Sequence, residues 1–142
     1  MRLIYISNAR LPTEKANGLQ VVKMCEAFTG GGVETLLLHP RRVRSEPFRG
    51  VSDVLSYYGV RRRFDCLALP CLDWLPRRST WLYRHDVIRY VVQTYTYGVV
   101  LSRWLRRNLG DDDVIYSRAD HLAAMLNRLG DCCPVFLELH NW

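Results

Sequence analysis

With 142 residues the chain has the size of one domain and can bury about two thirds of the surface it exposes when unfolded. It is 49% hydrophobic and 24% charged, with apolar runs broken at intervals by Gly, Pro and Asp, which excludes a disordered chain. The net charge of +6 is carried by arginine, Lys15 and Lys23 being the only lysines. It favours anionic ligands or surfaces through the summed field, although genomic composition with ordinary solvation produces the same skew.

Residues 3–7 form a short β-branched and aromatic run suited to a central parallel strand. Met1-Arg2 leads straight into a four-residue apolar run, which reads as too short for a signal peptide. A polar loop with Pro12 follows. Residues 16–29 then place Val21, Met24, Cys25 and Phe28 at the i, i+3, i+4, i+7 spacing of a helix with one buried face, and Gly30-Gly31-Gly32 stops it. A second strand is expected at 35–38, then a basic loop at 40–50, a short helix at 51–58 closed by Gly59, the Arg61-Arg62-Arg63 run, and a third strand at 65–69 ended by Pro70. Residues 70–80 mix Pro, Trp, Asp and Arg as a structured connection.

A long helix is expected over 86–107, with Ile88, Val91, Val92, Tyr95 and Val99 on its apolar face and a weak point at Gly98. Arg89, Gln93 and Arg103 keep the stretch from reading as a membrane span. Gly110-Asp111-Asp112-Asp113 breaks it as turn chemistry. Residues 114–117 are the fourth strand, Asp120 caps a helix over 121–129, and 135–140 form the fifth strand. Alternating strands and helices imply an α/β fold, a Rossmann-like open parallel sheet flanked by helices. The last strand has no following helix, so residues 1–142 are expected to be part of a larger fold.

The five cysteines, at 25, 66, 71, 132 and 133, show no paired-ligand spacing. They read as small core hydrophobes, reduced in a cytoplasmic setting. His39, His85, His121 and His140 are too dispersed for a zinc set, so no metal and no cofactor are expected.

The first strand is followed by Ser7-Asn8-Ala9-Arg10 instead of the G-x-G-x-x-G that dinucleotide binding requires, which excludes the usual NAD or FAD site. The loop delivers Asn17-Gly18 to the first turn of the helix, where free N–H groups and the positive end of the dipole favour an anion. A purely local reading has Asn17 capping the helix and Gly18 avoiding a clash. Chemistry alone leaves both open.

The order strand, Asn8-Ala9-Arg10-x-Pro12, polar loop, Ala16-Asn17-Gly18-x-Gln20 and amphipathic helix resembles the N-terminal domain of retaining glycosyltransferases of family 4, of the two-Rossmann-domain type called GT-B. Tyr57-Tyr58-Gly59-Val60, then Asp113-Val114-Ile115-Tyr116-Ser117-Arg118, then the stretch from Pro134 to His140 extend the resemblance over nearly the whole chain. It implies the incomplete, acceptor-side N-terminal half of a GT-B enzyme that transfers a sugar from a nucleotide-diphosphate donor to a hydroxyl acceptor, with the donor-binding domain absent and the isolated chain inactive. By the same resemblance Gly18, with Asn17 beside it, touches the donor diphosphate. Asn8, Arg10, Tyr116 and Glu138 are candidate acceptor or sugar contacts.

Arg118 and His140 are the candidates for a catalytic role. The family more often has histidine where Arg118 stands; arginine cannot act as a base but can clamp an anion or orient a hydroxyl. The local alternative pairs Arg118 with Asp120 or Glu138. The resemblance also admits a lipid-linked acceptor, with peripheral contact at the inner face of the membrane. A non-catalytic module that pairs with a separate donor-binding chain is the alternative. Nucleic-acid binding, suggested by Arg41, Arg42, Arg44 and Arg61 to Arg63, lacks a recognition motif and is set aside.

Overall fold

A computed structural model describes residues 1–43, 46–73, 86–122, 125–126 and 133–138. The elements are β1 (Arg2–Ile6), α1 (Ala16–Gly30), β2 (Glu34–Arg41), α2 (Val54–Tyr57), β3 (Asp65–Pro70), α3 (Asp86–Asn108), β4 (Asp113–Ser117) and β5 (Val135–Leu137). All five strands are parallel in one sheet, in the order β3-β2-β1-β4-β5. This is a Rossmann-like α/β arrangement, and the strand order reverses direction between β1 and β4.

Both faces of β1 are buried, so its residues alternate between two cores. Ile4 and Ile6 join Leu36, Leu38 and Ile115 against Tyr97, Leu101 and Leu105 of α3. Tyr5 and Leu37 face the other way, onto Val21, Val22 and Cys25 of α1 and onto Leu55 and Tyr58 at α2. A continuous apolar run in a central parallel strand is what this two-sided burial demands.

The turns form where the glycines stand. Gly31 caps α1, donating to the Ala27 and Phe28 carbonyls, and Gly32 adopts φ +84°. Gly59 adopts φ +62° after α2, whose N-terminus is capped by the Asp53 carboxylate accepting from the Leu55 and Ser56 amides. Ser56, then Arg63, hold that carboxyl down at about 2. The arginine run is tied into the same corner. Arg62 donates to the Gly30 carbonyl at 3.0 Å, at the negative end of α1, and Arg63 to Asp53 at 2.8 Å.

Helix α3 buries a different face from the one its apolar periodicity suggests. Ile88, Val91 and Tyr95 are exposed and Val92 and Val99 only partly covered, whereas Gln93, Tyr97, Leu101 and Leu105 are almost fully buried. The rotation is set by Leu101 and Leu105, which fill the core beneath β1 and β4. The donors of the buried polar members find partners: Tyr97 donates to the Leu38 carbonyl at 3.1 Å and Gln93 Nε2 to Asn8 at 3.0 Å, while Gln93 Oε1 is buried without one. Gly98 does not break the helix. A Cβ there would lie 2.5 Å from Met125 Sδ and 3.4 Å from Leu122 Cδ2, so this glycine permits the segment after β4 to cross α3 closely.

The fifth strand is shorter than its sequence suggests, ending at Leu137, and His140 lies outside the described residues. A 3-10 turn, Asp120–Leu122, stands where a helix is expected to begin. Residues 125–126 are helical, while 123–124 and 127–132 lie outside the described residues. The connection expected over 70–80 is described as far as Asp73. Among the described residues no helix is long and apolar enough to cross a membrane.

Arg2 ties the start of the sheet to the end of α3, donating to the Asn108 carbonyl at 2.9 Å and to Asp113 at 2.5 Å and 3.1 Å. Burial opposes the Asp113 charge, but Arg2 and the Gly110 N–H outweigh it and its pKa lies below the ordinary carboxylate value. The contribution is therefore complete above the unfolded value of about 4 and is lost as pH falls through the lower folded value. Replacing Asp113 with Asn is expected to lower the urea midpoint at neutral pH, and the gap to the parent should narrow below about pH 4. A gap independent of pH would contradict the assignment.

Candidate functional site

A cleft of about 640 Å³ opens beyond the C-terminal ends of β1 and β4, where the strand order reverses. One wall is the loop after β1, including Asn8 and Arg10; the other is the segment after β4, with Arg118 and His121; the start of α1 closes one end with Lys15 and Asn17. Open α/β sheets place ligands at this position because loops leaving neighbouring strands in opposite directions leave a crevice between them.

The first wall is packed, not loose. Leu11 and Thr13 are buried, and the Leu11–Pro12 bond is cis. Tyr58, at the end of α2, locks the loop by accepting from the Thr13 amide at 2.7 Å and donating to the Thr13 carbonyl at 2.8 Å. Gly18 is buried beneath this lock: a Cβ there would lie 2.7 Å from Tyr58 Oη, 3.3 Å from Leu11 Cδ2 and in collision with Thr13 Cγ2. Its N–H donates to the Lys15 carbonyl. Gly18 therefore lets the loop lie against α1, and Asn17 is the member of the pair that lines the cleft.

The cap reading of Asn17 is corrected. The N-cap of α1 is Lys15, with extended backbone and no side-chain cap, and Asn17 stands within the first turn. No acidic residue occupies that turn, so the positive end of the dipole is not neutralised by the helix itself.

Asn8 organises the floor. Its Oδ1 accepts from Gln93 at 3.0 Å, which turns Nδ2 toward Thr94 Oγ1 at 3.1 Å and His121 Nε2 at 2.8 Å. The Tyr90 hydroxyl lies 3.2 Å from His121 Nδ1. Five residues from the loop after β1, from α3 and from the segment after β4 are thus joined across the reversal point. The role of Gln93, Thr94, Tyr90 and His121 was hidden in the sequence, because polar residues inside a helical pattern read as its solvated face.

Arg118 and Glu138 are partners, as the local reading of Arg118 has it. Arg118 Nε lies 3.1 Å from Glu138 Oε2, and the same oxygen accepts from the Tyr116 hydroxyl at 2.5 Å. Burial first, then Glu138, push the Tyr116 phenol up to about 12. Tyr116 and Glu138 do not line the cleft; they fix the guanidinium that does. Tyr116 also stacks at 5.1 Å on Tyr5, which anchors the triad to the core.

Among the described residues of the lining, Arg10, Lys15, Arg42 and Arg118 face one carboxylate, Glu14. Burial raises the Cys66 thiol to about 11 and Cys25 higher still, which leaves these two as packing groups. Among the described residues no three His, Cys, Asp or Glu side chains gather as a metal site. No family model, curated protein or solved structure matches the chain.

Replacing Gly18 with Ala is expected to destabilise the fold by about 1–3 kcal/mol by forcing the Thr13–Tyr58 lock apart. Replacing Tyr58 with Phe should cost about 1–3 kcal/mol, since the Thr13 amide and carbonyl are left without their partner. If the two changes combined cost the full sum, as independent sites would, the lock described here would be refuted.

Proposed function

We propose that this chain is the acceptor-side Rossmann-like domain of a retaining GT-B glycosyltransferase. Its cleft would receive the hydroxyl acceptor together with the phosphate end of a nucleotide-diphosphate sugar gripped mainly by a second domain. The observation that carries the reading is the placing of a positively lined cleft at the β1/β4 reversal, with an uncapped helix N-terminus at one end. Sugar transfer with retention requires stabilisation of a departing diphosphate beside an oxocarbenium-like ring. Fixed N–H donors and cations serve that purpose because they need not reorganise as charge develops.

In this reading Asn17 and the positive end of the α1 dipole face the diphosphate, and Arg118, held by Glu138, clamps an anionic oxygen or orients a sugar hydroxyl. Asn8 and His121 present polar groups to the acceptor from a network already fixed by Gln93 and Thr94. His140 keeps its proposed catalytic role on sequence grounds alone. The exposed apolar residues Val87, Ile88, Val91 and Tyr95 on α3 favour the second reading, a non-catalytic module that pairs with a separate donor-binding chain.

The test is transfer of label from UDP-, GDP- and ADP-sugars to hydroxyl acceptors by the longest polypeptide the gene encodes, together with any chain that copurifies. The expected result is a product of retained anomeric configuration, with Arg118→Ala lowering kcat/KM by roughly a hundredfold, the loss typical of a fixed charge-stabilising donor. Stable pairing with a donor-binding chain without turnover would favour the module. Absence of both would remove the transferase reading.

A further inference from the structure

The lining of the cleft is divided. Helices α1 and α3 cover opposite faces of the sheet, so the space beyond the strand ends is bounded by α1 on one side and by α3 on the other. The α1 side carries Lys15, Asn17 and Gln20, a cation and two amides at the start of that helix. The α3 side carries Tyr90, with His121 and Asn8 next to it. Among the described residues of the lining, Tyr90 is the one Phe, Tyr or Trp.

Tyr90 is braced. Its hydroxyl lies 3.2 Å from His121 Nδ1, and the two rings meet edge to face with centroids 5.6 Å apart and planes inclined by 70°. His121 is placed in turn by Asn8, whose Nδ2 lies 2.8 Å from His121 Nε2, and Asn8 is fixed by Gln93 and Thr94 of the helix that carries Tyr90. The support closes on itself, from α3 through the loop after β1 and the segment after β4 back to α3. Yet 43% of Tyr90 stays exposed. Holding an open ring still costs conformational entropy, and a ligand that meets a surface already ordered no longer bears that cost.

Such a ring offers an apolar face with a polar tip. The hydroxyl keeps hydrogen-bonding capacity beyond its contact with His121, having one donor and two acceptor lone pairs. A pyranose has the matching division, with C–H groups on one face and hydroxyls around its edge. A phosphate lacks the apolar face, and a hydrocarbon chain lacks the hydroxyls. The cleft, at about 640 Å³, has the volume of sites that take small ligands of this kind.

We propose that Tyr90, braced by His121 and Asn8, is the platform on which a pyranoside stacks, and that this sugar is the acceptor. The platform stands on the geometry of the cleft; the role of acceptor rests on the transferase reading. Donor diphosphate at the α1 side and acceptor sugar at the α3 side thereby occupy separate parts of one cleft.

The test titrates the protein with the methyl α-pyranosides of glucose, mannose, galactose and N-acetylglucosamine, read by heat and by saturation transfer to the sugar C–H protons. Saturable binding of at least one is expected. Tyr90→Ala should weaken it roughly tenfold or more through loss of the aromatic face, and Tyr90→Phe, which keeps the face, should lose less. Tyr95→Ala, the same change at a tyrosine of α3 outside the cleft lining, should leave the affinity unchanged. Should Tyr90→Ala perturb the fold by circular dichroism, Tyr90→Leu retains bulk without a flat face and should still weaken binding.

Absence of saturable binding for every pyranoside, or equal weakening by Tyr95→Ala, would overturn the platform. So would stacking of uridine or guanosine on Tyr90 in place of any sugar. Pyranoside binding that needs Tyr90, in a protein that transfers no sugar, would remove the acceptor role and leave the platform standing. Sugar transfer to a glycerol or lipid hydroxyl without pyranoside binding would do the reverse, sinking the platform while the transferase reading survives.

Discussion

Everything in this fold depends on β1 being sealed from water on both faces. Ile4 and Ile6 face α3 while Tyr5 faces α1, all three with no exposed surface. A strand buried on both sides needs layers above and below it and a hydrogen-bonded neighbour on each edge. The chain supplies β2 and β3 on one edge and then returns through α3 to place β4 and β5 on the other. That return creates the reversal, and the reversal opens the cleft. The site is thus a by-product of how the core is covered.

The polar chemistry around the cleft is held by interactions that work by position. Tyr58 fixes the loop after β1 through both the amide and the carbonyl of Thr13, and Gly18 leaves the room this requires. Asn8 connects that loop to α3 and to His121, so elements far apart in sequence share one network. Glu138 fixes Arg118 from β5. Asn8 and Arg118, which face the cleft, thus have partners behind them, the arrangement a binding site needs if its donors are to be in place before the ligand arrives. Arg10 stands apart, its buried Nε being without a partner.

Much of the fold was legible in the sequence. The apolar run of β1, the spacing of Val21, Cys25 and Phe28 in α1, the glycines after α1 and α2 and the alternation of strand and helix all follow from local propensity and period. The Asn8-to-Gln20 loop was legible as the site's location because it follows the first strand and leads into a helix. The face of α3 was not legible. Val91 and Tyr95 are more apolar than Gln93 and Thr94, yet the latter are buried because Asn8 receives Gln93's amide proton and lies within reach of Thr94, and because Leu101 and Leu105 set the rotation. Hydrophobic periodicity weighs each residue alone, whereas burial of a polar group depends on partners distant in sequence.

The sequence by itself determined the class of fold, the places where the chain turns and the positive character of the molecule, since these depend on residues acting locally or in sum. Tertiary structure alone decided that Gly18 packs while Asn17 faces the cleft, that Arg118 is held by Glu138, and that Arg42 and Arg89 both lie against Asp73. The physical reason is the same in each case. Contacts among side chains from different strands and helices depend on register and helix rotation, which the packing of the whole core sets and no single segment encodes.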